Sequence, residues 1–340
     1  MPNVTSNAAY QQILSMAVED RSSGYQDMVS NNNVLLAVLK RKGLWEEYSG
    51  PKIRETLQIA KQVVQWYSGY DQLLNPAIDL FNDAVWDPKM VVVPIILSMQ
   101  EILNNQGEAQ LINVMTAYLK AAEKALEDAM DAGIYSDGTA NGGKQITGLA
   151  TAVPIANTTG VYGGIDRATA TIWQTKVFDA QTIMGAGTTQ VTSTSIRPML
   201  NYAMTKQSRG RDYADLLIMS PEHYAAYDAA TVAIQRQQGS TSLGSLGFSA
   251  LEYIGGGKRA EIVLDGGIGS NMPANTTFGL NTDSLRIRYN PSRNFDKLFD
   301  DGGQMPIDKD AVAQFIGWMG ELTMVNPMFN WRLYDSNPAA

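Results

Sequence analysis

The sequence predicts an α+β protein: an extended aromatic hairpin, then one long amphipathic helix, then a mixed lobe of strands and helices. Three observations carry this reading. Leu111, Val114, Met115, Tyr118, Leu119, Ala122, Leu126 and Met130 recur at three- and four-residue steps, the period of a helix with one apolar face. Residues 44–80 hold Trp45, Tyr48, Trp66, Tyr67 and Tyr70, with alternation around Leu57 and Ile59 and strand formers from Val63 to Tyr67. From Ile196 onward, helical patterns and short apolar strand patterns share one stretch of chain.

The elements follow in order. Residues 8–40 carry short helical patterns, Ile13 to Ala17 and Val34 to Leu39, separated by the turn formers Asn31, Asn32 and Asn33. Neither is long enough to fold alone, so this segment must pack on something else. Through Glu55 its basic residues Arg21, Lys40, Arg41, Lys42, Lys52 and Arg54 are balanced by Glu19, Asp20, Asp27, Glu46, Glu47 and Glu55, which excludes a basic RNA-wrapping arm. The aromatic hairpin comes next. A lone hairpin is marginal in water, so this one packs either in the core of its own subunit or on a neighbouring subunit. The pattern alone leaves both open.

Ala84 to Leu97 reads as a strand, and Pro88 and Pro94 make it an edge or bulged one. The long helix starts after Asn105-Gln106-Gly107, with Gly133 as its stop signal. About 24 residues of helix span roughly 36 Å, a strut. Residues 136–195 are rich in Gly, Ser and Thr and read as loops with short strands. A helix follows near Ile196–Gln207, then a buried strand at Leu216–Met219. Ser220 and Pro221 open another helix as N-cap and first residue. Residues 235–247 read as a loop. Strand patterns recur at Leu251–Ile254, Ala260–Leu264, Thr276–Leu280 and Leu285–Tyr289, and Ala311 to Leu333 reads as returning strands.

Composition narrows the function. At 340 residues and 44% hydrophobic content the chain can bury a sizeable core. Its net charge of -8 and 18% charged residues argue against a broad phosphate-gripping face. With no cysteine and a single histidine, thiolate chemistry is excluded and a His-based metal site is not expected. The N-terminus lacks the charged and apolar regions of a signal peptide. The longest apolar run, Met90 to Leu97, falls far short of a membrane span.

Catalytic motifs mostly fail. Tyr253-Ile254-Gly255-Gly256-Gly257-Lys258-Arg259 resembles a phosphate loop, but Arg259 stands where a magnesium-reaching Ser or Thr belongs and Glu252 where the first glycine belongs. His223 lacks a Gly-x-Ser-x-Gly elbow and reads as a surface residue in a helix's first turn. Asp296, Asp300, Asp301 and Asp308 lack calcium-loop spacing and read as a solvated loop. No catalytic, cofactor-binding or metal site is assigned.

A family resemblance enters here. Gly163-Gly164-Ile165-Asp166-Arg167-Ala168-Thr169, followed by Trp173, resembles a segment of many tailed-phage major capsid proteins. So does the stretch from Leu280-Asn281-Thr282-Asp283-Ser284 through Leu285-Arg286-Ile287-Arg288-Tyr289-Asn290-Pro291, with Arg293-Asn294-Phe295 behind it. Asp310-Ala311, Gly320-Glu321-Leu322-Thr323 and Asn326 also fit, and the element order resembles the HK97-type capsid fold across nearly the whole chain. The resemblance implies an N-terminal arm at residues 1–43 and an E-loop at 44–82 that reaches over an adjacent subunit. It implies a peripheral domain at 83–135 and 301–335, and an axial domain at 136–300. It implies an E-loop contact through Leu57, Ile59, Trp66, Tyr67 and Tyr70, and spine-helix packing through Leu111, Met115, Tyr118, Leu119 and Leu126.

The partners it implies are other copies in pentamers and hexamers, scaffolding and portal proteins, a decoration protein, and packaged double-stranded DNA held without sequence-specific contacts. The product is an icosahedral or prolate virion shell, made in a host cytoplasm, with no cofactor, no membrane and no enzymatic activity. A built-in scaffolding segment is not expected in this chain, and a separate scaffold is compatible with it. Some members crosslink through Lys and Asn partners; Lys52, Lys61 and Asn326 are present here, and none is assigned that role. An encapsulin-like compartment shares the fold and is the rival reading. An enzyme with a site invisible in sequence, or a tail or decoration component, fits the elements less well.

Overall fold

The structure is a computed structural model that describes residues 34–58, 62–74, 76–100, 108–183, 189–232, 250–266, 270–298 and 310–336. The helical pattern before Val34, the loop at 235–247, Ile59, Asp300, Asp301 and Asp308 lie outside the described residues.

Two sheets organise the chain. The first is four-stranded, in the order β1 (Trp45–Glu47), β12 (Leu285–Lys297), β13 (Ala311–Met324), β4 (Lys89–Ser98). β1 runs parallel to β12; the other pairs are antiparallel. β4 is an edge strand, which suits Pro94. The ladder between β12 and β13 breaks between Tyr289 and Asn294, and Pro291 sits inside that irregularity, where no ladder N–H is required.

The long helix, here α2, runs Glu108–Tyr135 and packs against β4. Its 28 residues make about 42 Å. Leu119, Ala122, Leu126, Met130 and Ile134 are its buried stripe, at three- and four-residue steps. Tyr118 does not belong to it: this residue is on the exposed side, because a one-residue step from Leu119 turns about 100° around the axis. Leu111 and Met115 lie within the helix, but their side chains fall outside the described residues. Gly133 is not a stop. The helix continues to Tyr135, and a Cβ at Gly133 would come within 3.2 Å of Ile146, so the glycine serves close packing.

Ahead of the sheet lies α1 (Val34–Arg41), with Leu35, Leu36, Val38 and Leu39 fully buried. β2 (Ile53–Gln58) and β3 (Phe81–Trp86) pair antiparallel as a separate two-stranded stem, Ile53 opposite Trp86 and Gln58 opposite Phe81. β3 and β4 are thus two strands where the sequence reads one, and Pro88 falls in the break.

The second sheet has six strands. They run β7 (Lys176–Asp179), β14 (Trp331–Tyr334), β11 (Thr276–Leu280), β8 (Leu216–Met219), β10 (Lys258–Leu264), β9 (Ala250–Gly255). β8 is buried on both faces. Leu216 and Ile218 join the core beneath the long helix, while Leu217 and Met219 face α3 (Ile196–Lys206) and α4 (Pro221–Val232).

Candidate assembly surfaces

The stem β2–β3 carries a long excursion whose two ends differ in character. At the base, Ile53, Ala84 and Trp86 are buried and Leu57 is half-buried against the same core. Beyond it, Trp66 is 94% exposed, Tyr67 67% and Tyr70 fully so, with Val63, Val64, Leu73 and Leu74 also exposed. The strand read at Val63–Tyr67 is not one: among the described residues this stretch pairs with no strand. Polar bonds shape the tip. Asp71 accepts the Ser68 N–H at 2.8 Å, and the Gln65 side chain spans the loop to the Gln72 carbonyl at 3.0 Å and the Leu74 N–H at 2.8 Å. The apolar side chains are therefore presented outward by a backbone that is fixed without them.

The base is anchored by the glycine-rich segment. β5 (Val161–Tyr162) and β6 (Ile165–Asp166) form a two-residue hairpin around Gly163 and Gly164. Gly163 has φ +57°, and a Cβ there would stand 2.9 Å from the Trp86 ring. Its carbonyl accepts the Val85 N–H at 2.8 Å. Trp86 meets Tyr162 edge-on at 5.8 Å, Trp173 stacks on Tyr162 at 6.0 Å, and the Trp173 indole donates to the Tyr162 carbonyl at 2.8 Å. Arg167 lies buried over the Tyr162 ring at 5.3 Å and donates to the Thr151 and Ala152 carbonyls at 2.6 and 3.1 Å. The segment works as a joint that sets the angle of the stem.

The segment from Leu280 to Pro291 forms a second joint. Asn281 caps a short 3-10 turn by accepting the Asp283 N–H at 3.0 Å, and Asn330 ties it to the second sheet through the Asn281 N–H at 2.7 Å. Asp215 holds the Thr282 N–H at 2.7 Å and pairs with Lys42, while Arg41 pairs with Glu261 at 2.6 Å, so α1 is pinned to the six-stranded lobe. Arg286 meets Glu46 at 3.0 Å, and Arg288 reaches Glu46 and Glu55, so this strand also grips the start of the stem.

A third surface lies on β4. Val91, Val93, Ile95 and Leu97 turn to the core, leaving Met90, Val92 and Ile96 exposed on the other face. A cleft of about 350 Å³ opens beside it, lined by Met90, Val92, Ala129, Ile146, Lys89 and Lys144 among others.

Gly256 and Gly257, at φ +57° and +74°, make the tight turn of the β9–β10 hairpin, so the phosphate-loop likeness is a hairpin signal. His223 is not a surface residue. It is 1% exposed, its Nδ1 lies 2.8 Å from the Thr277 hydroxyl, and burial brings its pKa down to about 4. Asp296 lies in β12. Among the described residues no three His, Cys, Asp or Glu gather as a metal site, and no helix is long and apolar enough to cross a membrane.

No family model and no curated protein matches the chain. Solved structures do. The capsid asymmetric unit of cyanophage A-1(L) matches with a TM-score of 0.61 at 16% identity, covering 87% of this chain and 92% of that one. The capsid of Myoviridae phage XM1 matches with a TM-score of 0.52 at 13% identity, over 87% of this chain and 91% of that one. Both of these neighbours are phage capsids, and the chain has their HK97-type capsid fold.

Proposed function

We propose that this chain is the major capsid protein of a tailed phage, a non-enzymatic subunit whose copies join as pentamers and hexamers into a shell around double-stranded DNA. The observation that carries the reading is the apolar tip. On a capsid fold, Trp66, Tyr67 and Tyr70 are held out by polar bonds and left uncovered by their own subunit. Three such rings remove roughly 500 Å² from water on docking, about 12 kcal/mol before ordering costs.

In this reading residues 1–43 are the arm, 44–82 the E-loop, 83–135 with 301–335 the peripheral domain, and 136–300 the axial domain. The tip packs on a neighbour, and the β4 face is its natural receiver. That face is also apolar and exposed, and its cleft carries Lys144, a cation to meet the Asp71 of the tip. A contact between unlike patches is heterologous, and it closes into rings when the rotation between neighbours divides the circle. Scaffolding, portal and decoration proteins are the further partners, and the virion is the site of action. Sedimentation of the purified chain, alone and after co-expression with phage scaffolding and portal proteins, tests this. Fast-sedimenting rings or shells support it, and a monomer under every condition overturns it.

A further inference from the structure

Glu321 is a buried ionisable group that assembly as proposed above leaves unused. It sits in β13, an interior strand of the four-stranded sheet, and is 1% exposed. Its Oε1 accepts the Thr147 N–H at 2.7 Å and the Leu322 N–H at 3.3 Å, while Oε2 has no hydrogen-bond partner among the described residues. Thr147 belongs to the loop that follows the long helix. The sheet holds this loop a second time, because Lys89 donates to the Gly143 carbonyl at 2.7 Å, and Lys89 pairs with Gly320, the residue before Glu321.

The charged surroundings give the carboxylate little support. Arg288 stands opposite Glu321 on β12, but Glu46 and Glu55 engage its guanidinium. Lys89 is committed to Gly143. Asp87, just before β4, opposes the anion, and Tyr162 of the β5–β6 hairpin is buried close by, with Arg167 over its ring.

We propose that Glu321 is a proton-dependent latch: protonated, it ties the loop at residues 143–148 to the sheet, and ionised, it releases that loop. Burial outweighs the two N–H donors and Lys89, and holds the folded pKa at about 8 against an ordinary 4.5. The group is therefore neutral in the fold at pH 7 and charges as pH rises through about 8. Once ionised, the carboxylate is stabilised by turning to water or by drawing Lys89 away from Gly143, and either move loosens the loop. Lys144, Gln145 and Ile146 of this loop also line the cleft beside β4, so the latch governs the shape of that surface. It is a property of the subunit and stands whether or not the shell reading holds.

Hydrogen exchange of the purified chain, corrected for intrinsic rates, tests this between about pH 6.5 and about pH 9.5. Protection at Thr147 is expected to fall about tenfold per pH unit up to the folded pKa of about 8 and to level off above it, with the amides around Leu126 unchanged. Glu321→Gln is expected to hold protection level. Unchanged wild-type protection, or the same loss in the variant, overturns the proposal. If Glu321→Gln does not fold, Lys89→Met serves: losing that cation moves the transition to higher pH, and an unmoved transition overturns the latch.

Discussion

Changing Trp66 and Tyr67 together to alanine separates folding from assembly. The two rings are 94% and 67% exposed and belong to neither core cluster of the described residues. Their loss therefore alters subunit stability by no more than about 0.5 kcal/mol, the usual range for surface substitutions. In a shell contact they act as aromatic anchors. Together they withdraw roughly 350 Å² from water, a gross gain of about 9 kcal/mol. Ordering and imperfect packing reduce the measurable cost of truncating such anchors to about 2–4 kcal/mol per contact. That raises the concentration needed for assembly by about 30- to 1,000-fold. Light scattering across a concentration series reads the assembly threshold, and calorimetry of dissociated subunits reads folding. An unchanged threshold, or equal losses in both assays, refutes the docking argument.

Other substitutions probe the frame. Leu126→Ala empties a fully buried site on the long helix and is expected to lower urea stability by about 2–5 kcal/mol. Gly163→Ala forces a Cβ against Trp86 at φ +57° and is expected to cost about 1–3 kcal/mol, read as a lower Tm. His223 gives a pH signature. Its folded pKa is about 4 against an ordinary 6.5, so its contribution is complete above 6.5 and is lost as pH falls toward 4. The loss totals about 3 kcal/mol, and His223→Gln is expected to remove that slope from an acid-denaturation series.

What the sequence reveals depends on whether one segment holds the whole cause. The helical stripe from Leu119 to Met130 and the buried strand at Leu216–Met219 are local patterns, and both stand as read. Val63 to Tyr67 has strand propensity but finds no partner strand among the described residues, so it forms none. His223 looks exposed because its first-turn position is polar, whereas β11 folds Thr277 onto it from 54 residues away. Gly133 looks like a stop because its partner, Ile146, lies in a later loop. Glu321 is invisible as a buried group, since a glutamate in a strand ordinarily faces water; β13 is an interior strand that places even its polar positions inside. The Trp86–Tyr162–Trp173 joint unites distant segments. The family-like pattern at Gly163–Thr169 marks its place, and the ring geometry supplies its reason. The assembly residues are legible as aromatics, while their exposure is a tertiary fact.

Electron microscopy of the purified chain, with and without co-expressed scaffolding protein, tests the central claim most directly. Rings with five- and six-fold symmetry, or closed shells, with density from one subunit's Trp66 tip lying on the next subunit, are the predicted result. A monodisperse monomer at every concentration, with or without scaffold, would contradict it.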